Sequence, residues 1–267
     1  MKASYMLMGD PRADDGSIME WRLLLGQLAA VGLQGVDIFD AYLRHVGVSV
    51  DECLGVLADN GLEPAVYCVP TDFISPGADV QRSLDVIRRG AEVCVQHGIG
   101  HLFSYGGQHT NSGPEALARY VEGLQQALEI TCKARLSLSI ENAGRMCHTW
   151  EELLACAERA GPEMRVTLDP GNFILAGSDP IVAAEQLATR TVHVHVKNFV
   201  PAPSKQPKPF EYCPPSRGLV DYPRLAGILA QAGYDRYLAF EPEGWPNAPA
   251  DDGVRFCAEL ARQFGLG

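Results

Sequence analysis

Apolar positions along the chain fall into two rhythms. Short runs that alternate, or are apolar throughout, cover residues 4–8, 35–40, 64–69, 101–105, 136–141, 165–169, 191–198 and 237–241, the length and pattern of β-strands. Between them run longer stretches with a helical period, several opening on capping signals: Ser17 with Glu20, Ser49 with Glu52, Ser112 with Pro114 and Glu115, Thr149 with Glu152, and Asp179 with Pro180. A helix over 78–96 closes at Gly98, and the last two begin near Asp221 and Asp252. Strict alternation without an antiparallel hairpin signal predicts a parallel sheet. Eight such units predict an α/β chain closed into a (β/α)8 TIM barrel, one domain over 1–267. An open doubly wound sheet would need a glycine-rich first turn, and that turn here reads M-G-D-P-R-A-D-D-G.

The run T-V-H-V-H-V-K-N, 191–198, puts Val192, Val194 and Val196 on one face of its strand and His193, His195 and Lys197 on the other. Three other strands repeat the design and end in a carboxylate: L-S-L-S-I-E at Glu141, R-V-T-L-D at Asp169 and Y-L-A-F-E at Glu241. Barrel sites lie at the C-terminal ends of the strands, so these four ends are expected on one rim. Carboxylates that close raise each other's pKa until one neutralises, a conflict that a divalent cation resolves. Oxygen-rich ligation with one imidazole points first to Mn²⁺, with Mg²⁺, Co²⁺ and Zn²⁺ as alternatives. For each residue taken alone, a structural ion pair is the competing reading.

Composition narrows the partners. A formal net charge of -11 on 267 residues repels phosphate backbones and argues against nucleic acid. No run approaches the roughly 20 apolar residues of a membrane span, and the start M-K-A-S-Y-M-L-M lacks the marks of a signal peptide, so a cytoplasmic location is expected. Eight scattered cysteines with no C-x-x-C pattern read as reduced and structural.

The ordered runs S-I-E-N-A-G, L-D-P-G-N-F, H-V-H-V-K-N and Y-L-A-F-E-P-E resemble those of the xylose-isomerase-like TIM barrels. That group includes sugar phosphate isomerases/epimerases and is related to the D-tagatose 3-epimerases and endonuclease IV. The resemblance covers essentially the whole chain and is sharpest over 137–243. It implies that Glu141, Asp169, His195 and Glu241 ligate a divalent metal, and that Glu141 and Glu241 also exchange the carbon-bound proton of a sugar. A metal polarising a carbonyl makes the neighbouring C–H acidic and stabilises the enediolate, which is consistent with that double duty. Two positions depart from the ketose 3-epimerases: Asn172 stands where they carry a substrate-orienting histidine, and Cys147 where they carry a second glutamate. The further histidines of endonuclease IV are absent.

Other candidates lie around the same rim. Lys197 shares the face of His195 and could hold a substrate oxygen or pair with a ring carboxylate; His193, one layer deeper, reads as a hydrogen-bonded core histidine. Asp37 matches an acidic position often near substrate in the resembling barrels, and His109 falls in a polar loop on the rim. The segment 199–218 reads as a structureless lid or binding loop that brings Arg217, with Trp245 beyond the last strand offering a surface for sugar stacking. Either could instead serve a homo-oligomer contact. The expected activity is a metal-dependent isomerase or epimerase of a sugar or sugar derivative. A dehydratase or lyase on a keto-sugar, keto-inositol or dehydroshikimate-type substrate is the alternative, and a non-catalytic sugar-binding barrel the third reading.

Overall fold

The eight predicted strands close into a barrel in a computed structural model that describes residues 1–9, 20–105, 112–144, 146–205, 209–242 and 250–265. The barrel strands are β1 (Lys2–Leu7), β2 (Gly35–Phe39), β3 (Glu63–Pro70), β4 (His101–Tyr105), β5 (Ser137–Glu141), β6 (Arg165–Leu168), β7 (Thr191–Val196) and β10 (Tyr237–Phe240). Two further strands, β8 (Asn198–Pro201) and β9 (Phe210–Cys213), stand outside it. Around the barrel the order is β1-β10-β7-β6-β5-β4-β3-β2, with every neighbouring pair parallel.

Helices α1 (Trp21–Ala30), α2 (Asp40–Val46), α3 (Val50–Asp59), α4 (Val80–His97), α5 (Pro114–Lys133), α6 (Trp150–Ala160), α7 (Pro170–Ala176), α8 (Pro180–Leu187), α9 (Tyr222–Gln231) and α10 (Ala250–Phe264) fill the connections. Local chemistry sets most of their ends. Ser49 accepts from the Glu52 N–H, Thr149 and Glu152 form a reciprocal capping box, and Gly98 ends α4 at φ 68. Two starts differ from expectation. Helix α1 begins at Trp21 because Glu20 is itself the cap, accepting from the Arg22 and Leu23 N–H groups at 3.0 and 3.2 Å; Ser17 and Ile18 lie outside the described residues. At α5 the cap position is Gly113, at φ 96 and without a side-chain cap bond, so Pro114 leads the helix without help from Ser112. The short helices α2 and α7, directly after β2 and β6, were not separate in the sequence pattern.

The alternation along each strand separates two cores. One apolar layer, which includes Val194, Val196, Leu138, Ile140, Val166 and Leu238, packs between sheet and helices; each such side chain fully buried contributes about 1.5–3 kcal/mol. On the inner face, Met6, Ala65, Val66, Cys68 and Phe103 make a smaller, separate cluster. The rest of the interior is polar. His101 Nε2 lies 2.6 Å from Ser139 Oγ, which lies 2.7 Å from Thr167 Oγ1. All eight cysteines are free thiols, Cys132 alone of them exposed.

The segment 199–218 corrects the expectation of a structureless run. Strand β8 pairs antiparallel with β9, and the rings of Phe199 and Tyr212 meet at 4.4 Å between centroids. Prolines hid it: a two-stranded ribbon has only edges, where proline is tolerated, so Pro201 can sit in the ladder opposite Phe210. The segment is closed at its base by Asn198, whose amide donates to the Pro215 and Val220 carbonyls at 2.8 and 3.2 Å. Its carbonyl oxygen accepts from the Val220 and Phe199 N–H groups at 3.0 and 2.9 Å. Gly218 leaves room for it, since a Cβ there would come within 2.1 Å of the Asn198 side chain.

Truncating Asn198 leaves buried backbone groups unpaired. Asn198→Ala is therefore expected to lower stability by about 1–3 kcal/mol and to speed amide exchange over 198–220 while the barrel strands keep their protection. Urea unfolding with residue-resolved hydrogen exchange checks both parts; uniform loss of protection would contradict a local clamp.

Candidate metal centre

Four consecutive strands of the barrel, β5, β6, β7 and β10, deliver the four ionisable ends. Glu141 is the last residue of β5, Asp169 follows β6, His195 lies in β7 and Glu241 follows β10. All four are buried, and each offers a ligand atom within 4.8 Å of the others. Glu141 and Glu241 stand at the two ends of this arc, with Asp169 and His195 between them.

His195 Nδ1 is 2.6 Å from Glu141 Oε1 and 3.3 Å from Glu241 Oε2. Lys197 Nζ completes the ring, 2.7 Å from Asp169 Oδ2 and 3.0 Å from Glu241 Oε2. Of the two readings of Lys197, pairing with ring carboxylates is the observed contact. Asp169 is held on every side. Its Oδ1 accepts the Asn172 N–H at 3.0 Å, capping α7, which leaves Oδ2 to face the ring. The Asn142 amide then grips its backbone, donating to the Asp169 carbonyl at 2.8 Å and accepting from its N–H at 3.0 Å. The D-P-G-N run thus reads as a cap, a first-turn proline, a glycine and a backbone donor. Gly171 is needed because a Cβ there would come within 2.7 Å of Lys197 Cγ and 2.9 Å of its carbonyl oxygen.

Asn142 escaped the sequence reading. Its one signal is position: a polar residue directly after a strand-ending carboxylate. Asn172 sits half-buried at the first turn of α7, while Arg217 is exposed on a short 3-10 turn, Pro215–Arg217, and takes no part in the ring. Asp37 lies inside the barrel beneath the ring, fully buried, with Oδ2 2.6 Å from His193 Nε2. His193 is accordingly a hydrogen-bonded core histidine. His109 and Trp245 lie outside the described residues. Across the mouth from the ring, Phe39 and Tyr105 pack at 4.8 Å between centroids, backed by Met8 and Phe103.

The donor set fits a divalent ion. Asp169 Oδ2 and Glu241 Oε2 are buried with no aligned hydrogen bond, although the Lys197 ammonium lies within ion-pair distance of both. In the ring itself three carboxylates, Glu141, Asp169 and Glu241, face two cations, Lys197 and a protonated His195, so negative charge is in excess. Three carboxylate oxygens and one imidazole nitrogen are ligands that such an ion accepts. The chain therefore carries a possible divalent-metal site.

Without a metal the ring stores protons. Burial pushes the Asp169 carboxyl up to about 6, with Glu241 adding to the shift and Lys197 and His195 opposing it. Burial works against a charged His195, but Glu141, Glu241 and Asp37 outweigh it and raise the imidazole well above its ordinary value. Burial also opposes ionisation of Asp37, yet His193 and His195 hold it below the usual carboxylate range. Burial, with His193 adding, pushes His101 down, so that imidazole is neutral.

Against known proteins, the family described as xylose isomerase-like TIM barrel matches residues 25–260. No curated protein matches. Similar solved structures include the probable 3-DHS dehydratase AsbF, involved in petrobactin synthesis, from Bacillus anthracis: TM-score 0.77, 16% identity, 98% of this chain and 99% of that one. A xylose isomerase-like TIM barrel protein from Mycobacterium smegmatis, in complex with magnesium, gives 0.75 at 16% identity over 99% and 97% of the two chains. D-allulose 3-epimerase from Methylomonas sp., in complex with D-allulose, gives 0.74 at 17% over 99% and 97%. At these identities the likeness is one of fold.

The stored protons make a prediction with a definite sign. Asp169 and His195 bind protons more tightly in the folded metal-free chain than when unfolded, so each stabilises it at low pH and ceases to as pH rises through the folded value. For Asp169 that window runs from about 4 to about 6. A divalent ion needs both groups deprotonated, so binding should release protons and weaken as pH falls through 6. Calorimetry at neutral pH in buffers of different ionisation enthalpy should show that release, and a binding heat independent of buffer would refute it.

Proposed function

The chain belongs to the xylose isomerase-like TIM barrel family, and from that premise we propose that it is a divalent-metal-dependent isomerase or epimerase of a sugar or sugar derivative. Its chemistry would be proton transfer at the carbon next to a carbonyl. The observation that carries the reading is the arc itself, two buried glutamates flanking an aspartate and a histidine whose ligand atoms all lie within 4.8 Å. Glu141, Asp169, His195 and Glu241 would hold the ion, Mn²⁺ first among Mg²⁺, Co²⁺ and Zn²⁺; an ion there would polarise the carbonyl and acidify the adjacent C–H.

The chain's own groups do the rest. Glu141 and Glu241, three strands apart, approach a bound molecule from two sides, so one can take the proton and the other return it to the opposite face. Lys197 is the one ammonium in the ring and would offset negative charge developing on an enediolate oxygen. Barrel strands fix all these side chains, and so the reacting geometry needs little reorganisation. Asn172, Arg217, His109 and Trp245 remain proposals for substrate contact.

Elimination by a dehydratase or lyase begins with the same proton abstraction. The apolar Met8, Phe39 and Tyr105 side of the mouth favours keeping it as a second reading, because a carbocycle such as a keto-inositol or dehydroshikimate presents a flatter face than an open-chain ketose. Proton NMR in D₂O of Mg²⁺-loaded protein with ketoses, keto-inositols and keto-glycosides separates the outcomes. Deuterium at one carbon with an epimeric or isomeric product supports the first reading, a conjugated UV-absorbing carbonyl the second. Binding without exchange would leave a sugar-binding barrel.

Glu141→Gln and Glu241→Gln should each keep weakened metal binding and lose turnover by at least the about 10²- to 10⁴-fold expected of a general base. For a two-base epimerase, exchange disappears from one epimer in the first variant and from the other in the second. One variant that still turns over would indicate a one-base isomerase or an eliminating enzyme.

A further inference from the structure

We propose that Asp37 is a positioning residue for the metal centre: from beneath the ring it holds His195 with its proton on Nε2, so that the bare Nδ1 faces the ligand set. This rests on the metal reading above. Asp37 lies on β2, three strands apart from β7 around the barrel, and reaches His195 only by crossing the interior. It is 0% exposed and sits on the inner face one step below Phe39, so it does not line the mouth. Its role is therefore orientation.

The two nitrogens of His195 face different carboxylates. Nδ1 lies 2.6 Å from Glu141 Oε1 on the ring side, and Nε2 lies 3.7 Å from Asp37 Oδ2 on the buried side. Metal ligation requires an unprotonated nitrogen towards the ring, which sends the single proton to Nε2. Asp37 Oδ1 and His195 Nε2 are both buried without a hydrogen-bond partner among the described residues. One is an acceptor left over and the other a donor left over, and Oδ2 of the same carboxylate already stands 3.7 Å from Nε2. A histidine ligand whose second nitrogen donates to a carboxylate is fixed in tautomer and made more basic.

Neighbouring rings hold the plane of the imidazole. Its plane stands at 89° to His193, with centroids 5.3 Å apart, and at 82° to Phe103, at 5.6 Å. His193 in turn is anchored through the 2.6 Å contact of its Nε2 with the same Asp37 oxygen. One carboxylate thus sets two imidazoles, one of them a ligand.

The test uses Zn²⁺, which is diamagnetic. In the zinc-loaded wild type, long-range proton–nitrogen NMR should place the His195 proton on Nε2. Asp37→Asn should weaken Zn²⁺ binding, measured by chelator competition, by about 10- to 100-fold; Asp37→Ser should weaken it likewise. Affinity within twofold of wild type in a folded variant overturns the proposal. A His195 proton on Nδ1 in the wild type overturns it too, whether or not the variants fold. Failure of the wild type to bind any divalent ion is a separate result, which removes the metal reading and this proposal together.

Discussion

Crowding of like charge in a dry rim is the constraint on which this structure depends. Glu141, Asp169 and Glu241 converge where water cannot screen them, and only Lys197 and His195 stand between them. At such separations in a low dielectric, mutual repulsion outweighs what any exposed pair of charges would feel. The metal-free chain responds by holding protons on His195 and raising Asp169, so a cation entering this possible site would have to displace protons. A cluster maintained for stability alone would be improved by apolar replacements, since burying charges costs more than their pairing returns.

The backbone makes that crowding reproducible. Strand ends on a barrel cannot drift, and Asp169 is further tied by α7, whose N–H it caps, and by Asn142 across the strand pair. The carboxylate that caps a helix with one oxygen and faces the ring with the other links local helix formation to the geometry of the ring. Gly171 extends the link, because only a residue without Cβ lets the start of α7 approach Lys197. Below the ring, Asp37, His193, His101, Ser139 and Thr167 replace part of the apolar filling usual for a barrel interior.

Much of this was legible in the residues. Period-two alternation in 191–196 and three carboxylate-ended strands located both barrel and ring, because in a strand the pattern of side chains is the geometry. Where tertiary contacts decide, the sequence was silent. The β8 and β9 ribbon was concealed by prolines that forbid a central strand but not an edge, and Gly113 displaced Ser112 as a cap through backbone conformation alone. Asp37 was expected near substrate; that it lies beneath the ring follows from closure of the barrel, which no local pattern encodes. Asn142 was missed for the same reason, its partner being 27 residues away.

The two sides of the mouth differ in chemical character. Every ionisable group of the ring comes from β5, β6, β7 and β10, whereas the ends of β1 to β4 present Met8, Phe39 and Tyr105 among the described residues. Proton transfer needs carboxylates at fixed distances, which strand ends supply; selection among hydroxylated rings needs a surface that can vary without disturbing them. On the proposed reading, separating the two on one barrel would let the facing wall vary without disturbing the arc. On that reading the wall formed by Met8, Phe39 and Tyr105 would bear on substrate choice while the arc carries the chemistry.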